Sequence, residues 1–266
     1  MAPAPRTVLA VGAHPDDLEF MMAGTLLLLQ RAGLNVHVWN LANGSCGTVT
    51  LPRDEIVAQR TAEAQAAARR LGAVWHPPLV DDLMIHYEPA LLARVAAVVR
   101  GVKPDLLLLP SPHDYMEDHQ NTSRLLVSAA FTRGMRNFIT DPPTEPWAGA
   151  MVLYHACPYG LRDGMRQFVR PGQYVDVSAV LAEKRALLAE HRSQKEWLDK
   201  SQGLDAYLIA MERMTRELGQ ISGWFAYAEG WRRHSHLGFA PVEQDILAQI
   251  LGKQCWVDPE YEASLG

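Results

Sequence analysis

A regular alternation of strand and helix patterns runs through the first half of the chain. The apolar runs Thr7–Ala13, Val36–Leu41 and Asp105–Leu109 are typical of strands, and the last is almost uninterrupted, as in a strand buried on both faces. Helix patterns at Leu18–Arg31 and Arg53–Leu71 lie between them. Strands joined through helices pair in parallel by right-handed crossovers. We therefore predict an α/β fold with an open, mostly parallel sheet covered by helices.

The remaining predicted elements continue this pattern less regularly. They are strands at Val74–His76, Met151–Ala156 and Tyr174–Val177, and helices at Pro89–Arg100, Asn121–Arg133, Val180–Leu198 and Leu204–Gly219. Neither a Ser/Gly linker nor an internal repeat separates the two halves. We therefore predict a single domain over residues 1–266, with a sheet core at 1–135 and a C-terminal strand/helix extension at 136–266 that completes the binding site.

Composition excludes several classes of protein. Hydrophobic residues make up 48% of the chain and charged residues 21%, which is a globular composition. The net charge of -5 gives no support to nucleic-acid binding. The longest apolar runs fall far short of the ~20 residues of a membrane helix, and the three cysteines form no CxxC pair. We therefore predict a cytoplasmic protein with no nucleic-acid and no membrane partner.

Two polar clusters directly follow two of the predicted strands. His14-Pro15-Asp16-Asp17 comes after the first strand, and the segment His113–His119 comes after Leu106–Leu109. In open parallel sheets, ligands bind beyond the carboxyl ends of the strands. If the two strands are near neighbours, both clusters face one crevice, and we predict the binding site there.

The residue types in these clusters suit a divalent cation. Two adjacent carboxylates beside an apolar sheet edge are unfavourable unless a partner compensates their charge. His14 and Asp17 are three residues apart in a turn that enters a helix, and His119 is a candidate third ligand. Two imidazoles and one carboxylate with an open position suit a catalytic zinc ion, and the same ligands suit Fe(II).

Asp16 would then lie close to the metal without binding it. Zinc lowers the pKa of its bound water to about 7, and Asp16 can accept a proton from that water as general base. This chemistry is metal-assisted hydrolysis of an amide or ester. Two plainer interpretations stay open: Asp16 and Asp17 cap a helix, and Asp118-His119 is a surface or core pair.

Several motifs of the chain resemble one known family. Ala13–Glu19 (AHPDDLE) closely resembles the AHPDDE signature of the LmbE/PIG-L-like N-deacetylases. The similarity extends to Asn43–Thr48, Arg60-Thr61-Ala62-Glu63 with Leu71-Gly72, Arg100 with Lys103-Pro104-Asp105, Asp118-His119, and His191-Arg192-Ser193-Gln194. The resemblance implies a Rossmann-like fold. It also implies metal-dependent removal of an acyl group, acetyl above all, from a small-molecule N-acyl amino sugar or its glycoside.

The resemblance also implies roles for particular residues. His14, Asp17 and His119 would be the ligands of a Zn2+ ion, with Fe2+ or another divalent metal as the alternative, and Asp16 would be the general base. Asp118 would orient a neighbouring residue by hydrogen bonding. Arg60 would reach toward the substrate or the product carboxylate. The alternative for Arg60 is a helix-surface arginine paired with Glu63.

The chain departs from the family at two points. Many members carry a histidine three residues before the last ligand, where this chain has Met116, which can neither stabilise an oxyanion nor protonate an amine. His113, His155 and His191 are alternative donors by residue type, but a structural histidine is the favoured interpretation of each. Some relatives have acidic residues in the glycine-containing loop, where this chain has Ser45-Cys46. Cys46 is interpreted as a small loop residue rather than a nucleophile.

Other functions stay open on the sequence alone. They are a deacylase of a non-sugar amide or ester, a 2-His-1-carboxylate iron oxygenase, and a non-catalytic ligand-binding module, which Met116 motivates. Dinucleotide binding is disfavoured because His14-Pro15-Asp16-Asp17 occupies the turn where G-x-G-x-x-G would stand. An aromatic stretch near the C-terminus suits a sugar-stacking wall, the subunit interface of a homo-oligomer, or core packing. It comprises Trp224, Phe225, Tyr227, Trp231 and Phe239, with Arg232, Arg233, His234 and His236 interleaved.

Overall fold

The fold is built on one eight-stranded mixed sheet. The structure is a computed structural model and describes residues 6–195 and 206–266. The strands follow the order β3-β2-β1-β4-β5-β7-β6-β8. Neighbours from β3 to β5 pair in parallel, and β7, β6 and β8 add antiparallel pairs. The strands are β1 Thr7–Gly12, β2 Asn35–Asn40, β3 Val74–His76, β4 Leu106–Leu109, β5 Val152–Ala156, β6 Gln173–Asp176, β7 Ala228–Arg233 and β8 Cys255–Val257.

Helices cover both faces of this sheet, which confirms the predicted α/β fold. In chain order they are α1 Asp17–Met21, α2 Ala23–Arg31, α3 Arg53–Leu71, α4 Pro89–Val102, α5 Glu117–Thr132, α6 Leu181–Leu188, α7 Ala206–Ser222, α8 Ile246–Leu251 and α9 Pro259–Ser264. Among the helices within the described ranges, none is long and apolar enough to cross a membrane.

Alternate side chains of the central strands enter two separate cores. Val8 of β1 and Leu106 of β4 pack beneath α2, α6 and α7, whereas Leu9 and Leu107 pack against α4 and α5. All four side chains are fully buried. Burial on both faces explains why β4 is a run of four leucines rather than an alternating pattern.

Two predicted helix boundaries were wrong in ways that matter for the site. The predicted helix Leu18–Arg31 is two helices, because α1 ends at Met21 and α2 begins at Ala23. The helix predicted from Asn121 begins at Glu117. Its first residues are acidic, which is favourable at the positive end of a helix dipole but resembles a polar loop in the sequence. Asp118 and His119 therefore lie in the first turn of α5.

The predicted helix Val180–Leu198 is interrupted as well. α6 ends at Leu188, the chain turns, and residues 192–195 are helical again. The turn buries His191, whose Nε2 lies 3.1 Å from Glu19 Oε2 of α1. Positions 196–198 lie outside the described residues, as do the first two of the helix predicted at Leu204–Gly219, which is observed as α7.

A buried carboxylate joins the antiparallel strands to the first half of the chain. Glu229 of β7 accepts hydrogen bonds from the backbone amides of Gly24 and Thr25 at the start of α2, at 2.8 and 2.7 Å. Lys184 of α6 pairs with the same carboxylate, and both side chains are almost fully buried. The interaction places the first turn of α2 against β7.

The aromatic stretch divides between core and surface. Trp231 is fully buried and its indole donates to Thr25 Oγ1 at 3.1 Å, and Phe239 is also buried. Trp224 is exposed and contacts Trp256 of β8 with ring centroids 6.1 Å apart. None of these side chains is among the described residues that line the cavity at the candidate metal centre. Core packing is therefore the observed role of Trp231 and Phe239.

Candidate metal centre

Three predicted ligands meet at the carboxyl ends of two neighbouring strands. His14 and Asp17 follow β1, and His119 lies in the first turn of α5, just beyond β4. Because β1 and β4 are hydrogen-bonded in parallel, the segments that follow them lie side by side. One donor atom from each of the three residues lies within 4.8 Å of the others.

The geometry of these atoms fits a cation rather than a hydrogen-bonded cluster. His14 Nδ1 lies 3.8 Å and His119 Nε2 lies 3.4 Å from the same oxygen, Asp17 Oδ2. His119 Nε2 is buried and has no hydrogen-bond partner among the described residues. A buried ring nitrogen without a partner is unfavourable unless its lone pair has a ligand. The donor set of two imidazoles and one carboxylate therefore fits a divalent metal.

A carboxylate holds each imidazole from behind. Asp118 Oδ2 lies 2.9 Å from His14 Nε2, and Asp114 Oδ2 lies 3.0 Å from His119 Nδ1. A carboxylate at the rear nitrogen fixes the tautomer that directs the other nitrogen at a metal. Asp118, expected to orient a neighbour, lies where it can do so. Asp114 was not among the predicted site residues, although an acid five residues before His119 was a usable signal.

Charge within the cluster favours an ionised Asp17. Its Oδ2 accepts hydrogen bonds from the backbone amides of Ala13 and His14, both at 2.8 Å. Burial opposes ionisation, but the neighbouring imidazoles of His119 and His14 outweigh it and hold the pKa of Asp17 well below its usual range. Burial likewise lowers the pKa of His119, yet Asp17 and Asp114 raise that pKa well above its ordinary value.

Asp16 stands beside the three ligands in an unusual backbone conformation. Its φ of 112° lies in the left-handed region, and its side chain makes no helix-capping hydrogen bond. Tyr207 donates its hydroxyl proton to Asp16 Oδ2 at 2.6 Å, and the Arg60 guanidinium approaches Oδ1 at 3.3 Å. Burial raises the pKa of Asp16, against the opposing effect of Arg60. The helix-cap interpretation of Asp16 is therefore wrong.

Arg60 is buried and supports the loops around Asp16. Its guanidinium donates to the carbonyls of Pro15 and Gly44 as well as to Asp16. A Cβ at Gly44 would lie 2.5 Å from the Arg60 side chain, and the φ of Gly44 is +80°, so this turn requires glycine. The alternative of a helix-surface arginine paired with Glu63 is wrong, because Glu63 instead accepts from the amide and hydroxyl of Ser193.

A cavity of about 410 Å³ opens in front of the three ligands. One side carries His14, Asp16, Asp17 and His119. Another part of the lining is aromatic, since the Phe20 ring lies 5.3 Å from that of Tyr159 and 5.6 Å from that of Tyr207. The other described lining residues include Met21, Cys46, Gly47, Arg60, Asp82, Leu83, Tyr115, Met116 and Gln194. We call this the metal-centre cavity.

Met116 lines the metal-centre cavity, whereas the three alternative histidines do not. His113 is exposed, and His191 is buried against Glu19. His155 of β5 faces away, toward His234. Among the described lining residues, Tyr207 supplies the hydroxyl beside Asp16, and burial raises the pKa of that hydroxyl well above its usual value. Tyr207 was not predicted as a site residue, because no motif surrounds it.

Cys46 lies at the exposed edge of the metal-centre cavity. Its backbone amide donates to Asp82 at 2.9 Å, and its thiol contacts the neighbouring Ser45 hydroxyl at 4.0 Å. No histidine hydrogen-bonds to the thiol among the described residues. These contacts agree with a small loop residue.

Comparison with known proteins identified a matching family model and several relatives. Residues 9–130 match the model of the PIG-L family, described as GlcNAc-PI de-N-acetylase. The chain is 25% identical to a diacetylchitobiose deacetylase of Thermococcus kodakarensis over 71% of this chain and 70% of the relative. It is 26% identical to a 4-oxalmesaconate hydratase of Pseudomonas putida over 69% of this chain and 72% of that relative.

The fold has close structural counterparts as well. The N,N'-diacetylchitobiose deacetylase of Pyrococcus horikoshii superposes with a TM-score of 0.73 at 23% identity, covering 90% of this chain and 88% of the other. At that identity the likeness shows the fold alone. The sequence match shows that residues 9–130 carry a PIG-L (LmbE-like) family domain, as the AHPDDLE motif predicted.

Proposed function

We propose that this protein is a metal-dependent hydrolase that removes an N-acyl group, acetyl above all, from an amino sugar or its glycoside. The observation that carries the proposal is the convergence of His14, Asp17 and His119 beside Asp16, with the buried Nε2 of His119 unpartnered. The deacetylase relatives support the reaction class.

We propose zinc as the metal, because two imidazoles and one carboxylate with an open position suit catalytic zinc. Fe2+ or another divalent ion suits the same donors. His14, Asp17 and His119 would hold it, while Asp118 and Asp114 orient the two imidazoles. When bound there, the metal would supply Lewis acidity for water activation and for polarisation of the scissile amide carbonyl.

Side chains of the protein accept the proton that the attacking water loses. Asp16 accepts it as general base, and a pKa raised by burial makes this carboxylate a better base than an ordinary aspartate. Tyr207 and Arg60 hold its two oxygens from different sides, so the carboxylate keeps one orientation. We assign to Arg60 this supporting role in addition to the predicted contact with substrate.

The hydratase relative raises a rival reaction within the same family. Its name implies a substrate rich in carboxylates. Arg60 is the one arginine or lysine among the described residues that line the metal-centre cavity, and it is already engaged by Asp16 and two carbonyls. Asp16, Asp17 and Asp82 line the same cavity. Apart from the proposed metal, buried carboxylates of a substrate would meet these aspartates and find no lining side chain with an unengaged positive charge. The side-chain charges therefore favour a neutral amide.

Two other candidate functions have specific observations behind them. The aromatic wall of Phe20, Tyr159 and Tyr207 is compatible with a non-sugar amide or ester. Met116, in place of the family histidine, is compatible with a non-catalytic ligand-binding module.

We also propose that residues 1–266 act as one domain, since Gln194 and Tyr207 from the second half line the cavity together with His14.

The test combines a substrate panel with Asp16→Asn. Amine release is measured from N-acetyl amino sugars, their glycosides and simple amides, and acid release is measured from esters. Loss of the double bond of an unsaturated polycarboxylate is the hydration control. We expect release from the sugars, lowered about 10²–10⁴-fold in D16N, with the metal content of the two proteins equal by elemental analysis. Full activity in D16N would show that Asp16 is not the general base. Turnover of simple amides alone would select the non-sugar deacylase, and neither turnover nor metal uptake would select the binding module.

A further inference from the structure

A second cavity, of about 580 Å³, lies on the side of the sheet that α5 covers. It is lined by residues of α5, of β5 and β7, and of the helix α9, and it shares none of its described lining residues with the metal-centre cavity. Its described lining includes three arginines and two histidines but neither aspartate nor glutamate. We call it the second cavity.

The floor of the second cavity is a pair of neutral histidines. His155 is buried, with its Nδ1 lying 3.0 Å from the carbonyl oxygen of Pro110 and 3.2 Å from Ser123 Oγ. Its Nε2 lies 3.0 Å from Nδ1 of His234. Burial lowers the pKa of His155 to about 4, and burial also lowers the pKa of His234. At neutral pH these rings provide hydrogen-bonding groups without charge.

The positive charge comes from arginines that lack an acidic partner. Arg232 donates its Nε to Tyr261 Oη at 3.2 Å, and Arg124 lies over the Tyr87 ring at 5.3 Å. Neither guanidinium forms an ion pair with a carboxylate among the described residues. Arg233 differs, because it pairs with Glu243 and Glu262 at 2.9 and 3.0 Å.

Tyr261 holds the Nε side of the Arg232 guanidinium, which leaves its terminal nitrogens for another acceptor. The terminal nitrogens of a guanidinium match the two oxygens of a carboxylate or phosphate. Arg232 and His155 are paired across β7 and β5, so both project from the same face of the sheet toward α5. A concave site with cationic walls concentrates anions.

We propose that the second cavity binds a small organic anion through its carboxylate or phosphate group. Arg232 and Arg124 supply the charge, and Ser123 and His234 supply hydrogen-bonding groups at the floor. The site is separate from the metal centre and carries no part of the proposed hydrolysis. It therefore stands whether or not the substrate is an amino sugar.

The test is calorimetric titration of the metal-loaded protein with inorganic phosphate and, in a second arm, with succinate. The variants are R232Q and R124Q; because Arg124 is on an exposed helix surface, R124Q tests the site even if R232Q folds poorly. The matched control is R216Q, since Arg216 also lies 5.3 Å from a tyrosine ring, that of Tyr227, but outside the second cavity. D17N changes only the metal centre, so binding that is lost in D17N is binding of the anion at the metal centre.

We expect saturable binding of at least one probe, weakened by about tenfold or more in R232Q and less in R124Q. R216Q and D17N should bind like the wild type. The arm that saturates at lower concentration identifies the phosphate or the carboxylate as the recognised group. Two results would overturn the proposal: no saturation by either probe, or binding that disappears in D17N and persists in R232Q.

Discussion

At the scale of single residues, the conformation of Asp16 restricts what can replace it. A φ of 112° is accessible to asparagine and glycine at lower cost than to alanine. Asparagine also keeps an oxygen for Tyr207 and Arg60. We expect D16A to lower the free energy of unfolding by about 1–3 kcal/mol more than D16N does. Urea unfolding of the two variants measures the difference, and equal stabilities would show that neither the backbone nor the side-chain contacts matter there.

The two carboxylates behind the imidazoles give a second prediction. D114N and D118N each leave an amide where a charged acceptor oriented His119 or His14. We expect each variant to weaken metal binding about 10–100-fold, measured by competition with a chromophoric chelator. D54N, at an exposed position of α3, is the control and should bind the metal like the wild type. Unchanged affinity in both D114N and D118N would mean that the ligands are held without them.

At the scale of elements, Glu229 determines how α2 meets β7. The amides of Gly24 and Thr25 donate to different oxygens of Glu229, so Glu229→Gln keeps an acceptor for only one of them. The substitution also leaves the buried Lys184 without a counter-charge. We expect a loss of about 3–5 kcal/mol in the free energy of unfolding. The double variant E229Q/K184M, which also removes the unpaired charge of Lys184, should recover part of the lost stability.

A matched control for this prediction lies next to Lys184 on the same helix. Glu183 pairs with Arg31 at the surface, where both side chains are about half exposed. An exposed pair contributes about 0–1 kcal/mol, so E183Q should unfold nearly like the wild type. Similar losses in E229Q and E183Q would show that burial does not distinguish the two pairs.

Elements with a strong local pattern were predictable, and those defined by distant contacts were not. The helix at Arg53–Leu71 and the strand at Val74–His76 were predicted at their observed bounds. The start of α5 at Glu117 was missed because its acidic first turn reads as a loop. The break after Met21 was missed because the nearest glycine, Gly24, lies inside α2 and not at Met22, where the two helices separate. Hydrophobic periodicity indicates which face of a helix is buried but not where the helix begins or ends. These boundaries depend on packing against other parts of the fold.

The same distinction holds for the candidate site. His14, Asp17 and His119 were predictable because residues after parallel strands share one edge of the sheet, and the structure brings them together. Asp118 was also placed correctly beside an imidazole. Tyr207 could not be predicted, since its contact with Asp16 spans 191 positions and depends on how α7 packs.

At the scale of the whole molecule, buried neutral histidines make stability depend on pH. Burial lowers the pKa of His155 to about 4, so the unfolded chain, with a histidine pKa near 6.5, binds the proton more readily. The resulting stability is fully present above pH ~6.5 and is lost as the pH falls toward 4, by up to about 3 kcal/mol. His76, whose pKa burial also lowers to about 4, adds to the same loss.

Urea unfolding at about pH 7 and about pH 5, in buffer without phosphate, tests this dependence. H155Q should lose less stability between the two conditions than the wild type, with His76 accounting for part of the remaining loss. H113Q, at an exposed loop position, should behave like the wild type. Parallel losses in H155Q and the wild type would exclude His155 as a source of the acid sensitivity.

The metal-centre cavity draws its walls from separate parts of the chain, and this has a use in protein engineering. The ligands lie on segments after β1 and β4, whereas Tyr159, Gln194 and Tyr207 come from the second half. Residues such as Tyr159 and Ala210 line the cavity without bonding to any ligand residue. Libraries randomised at those two positions can therefore change the shape of the cavity while every screened clone keeps His14, Asp17 and His119 in place.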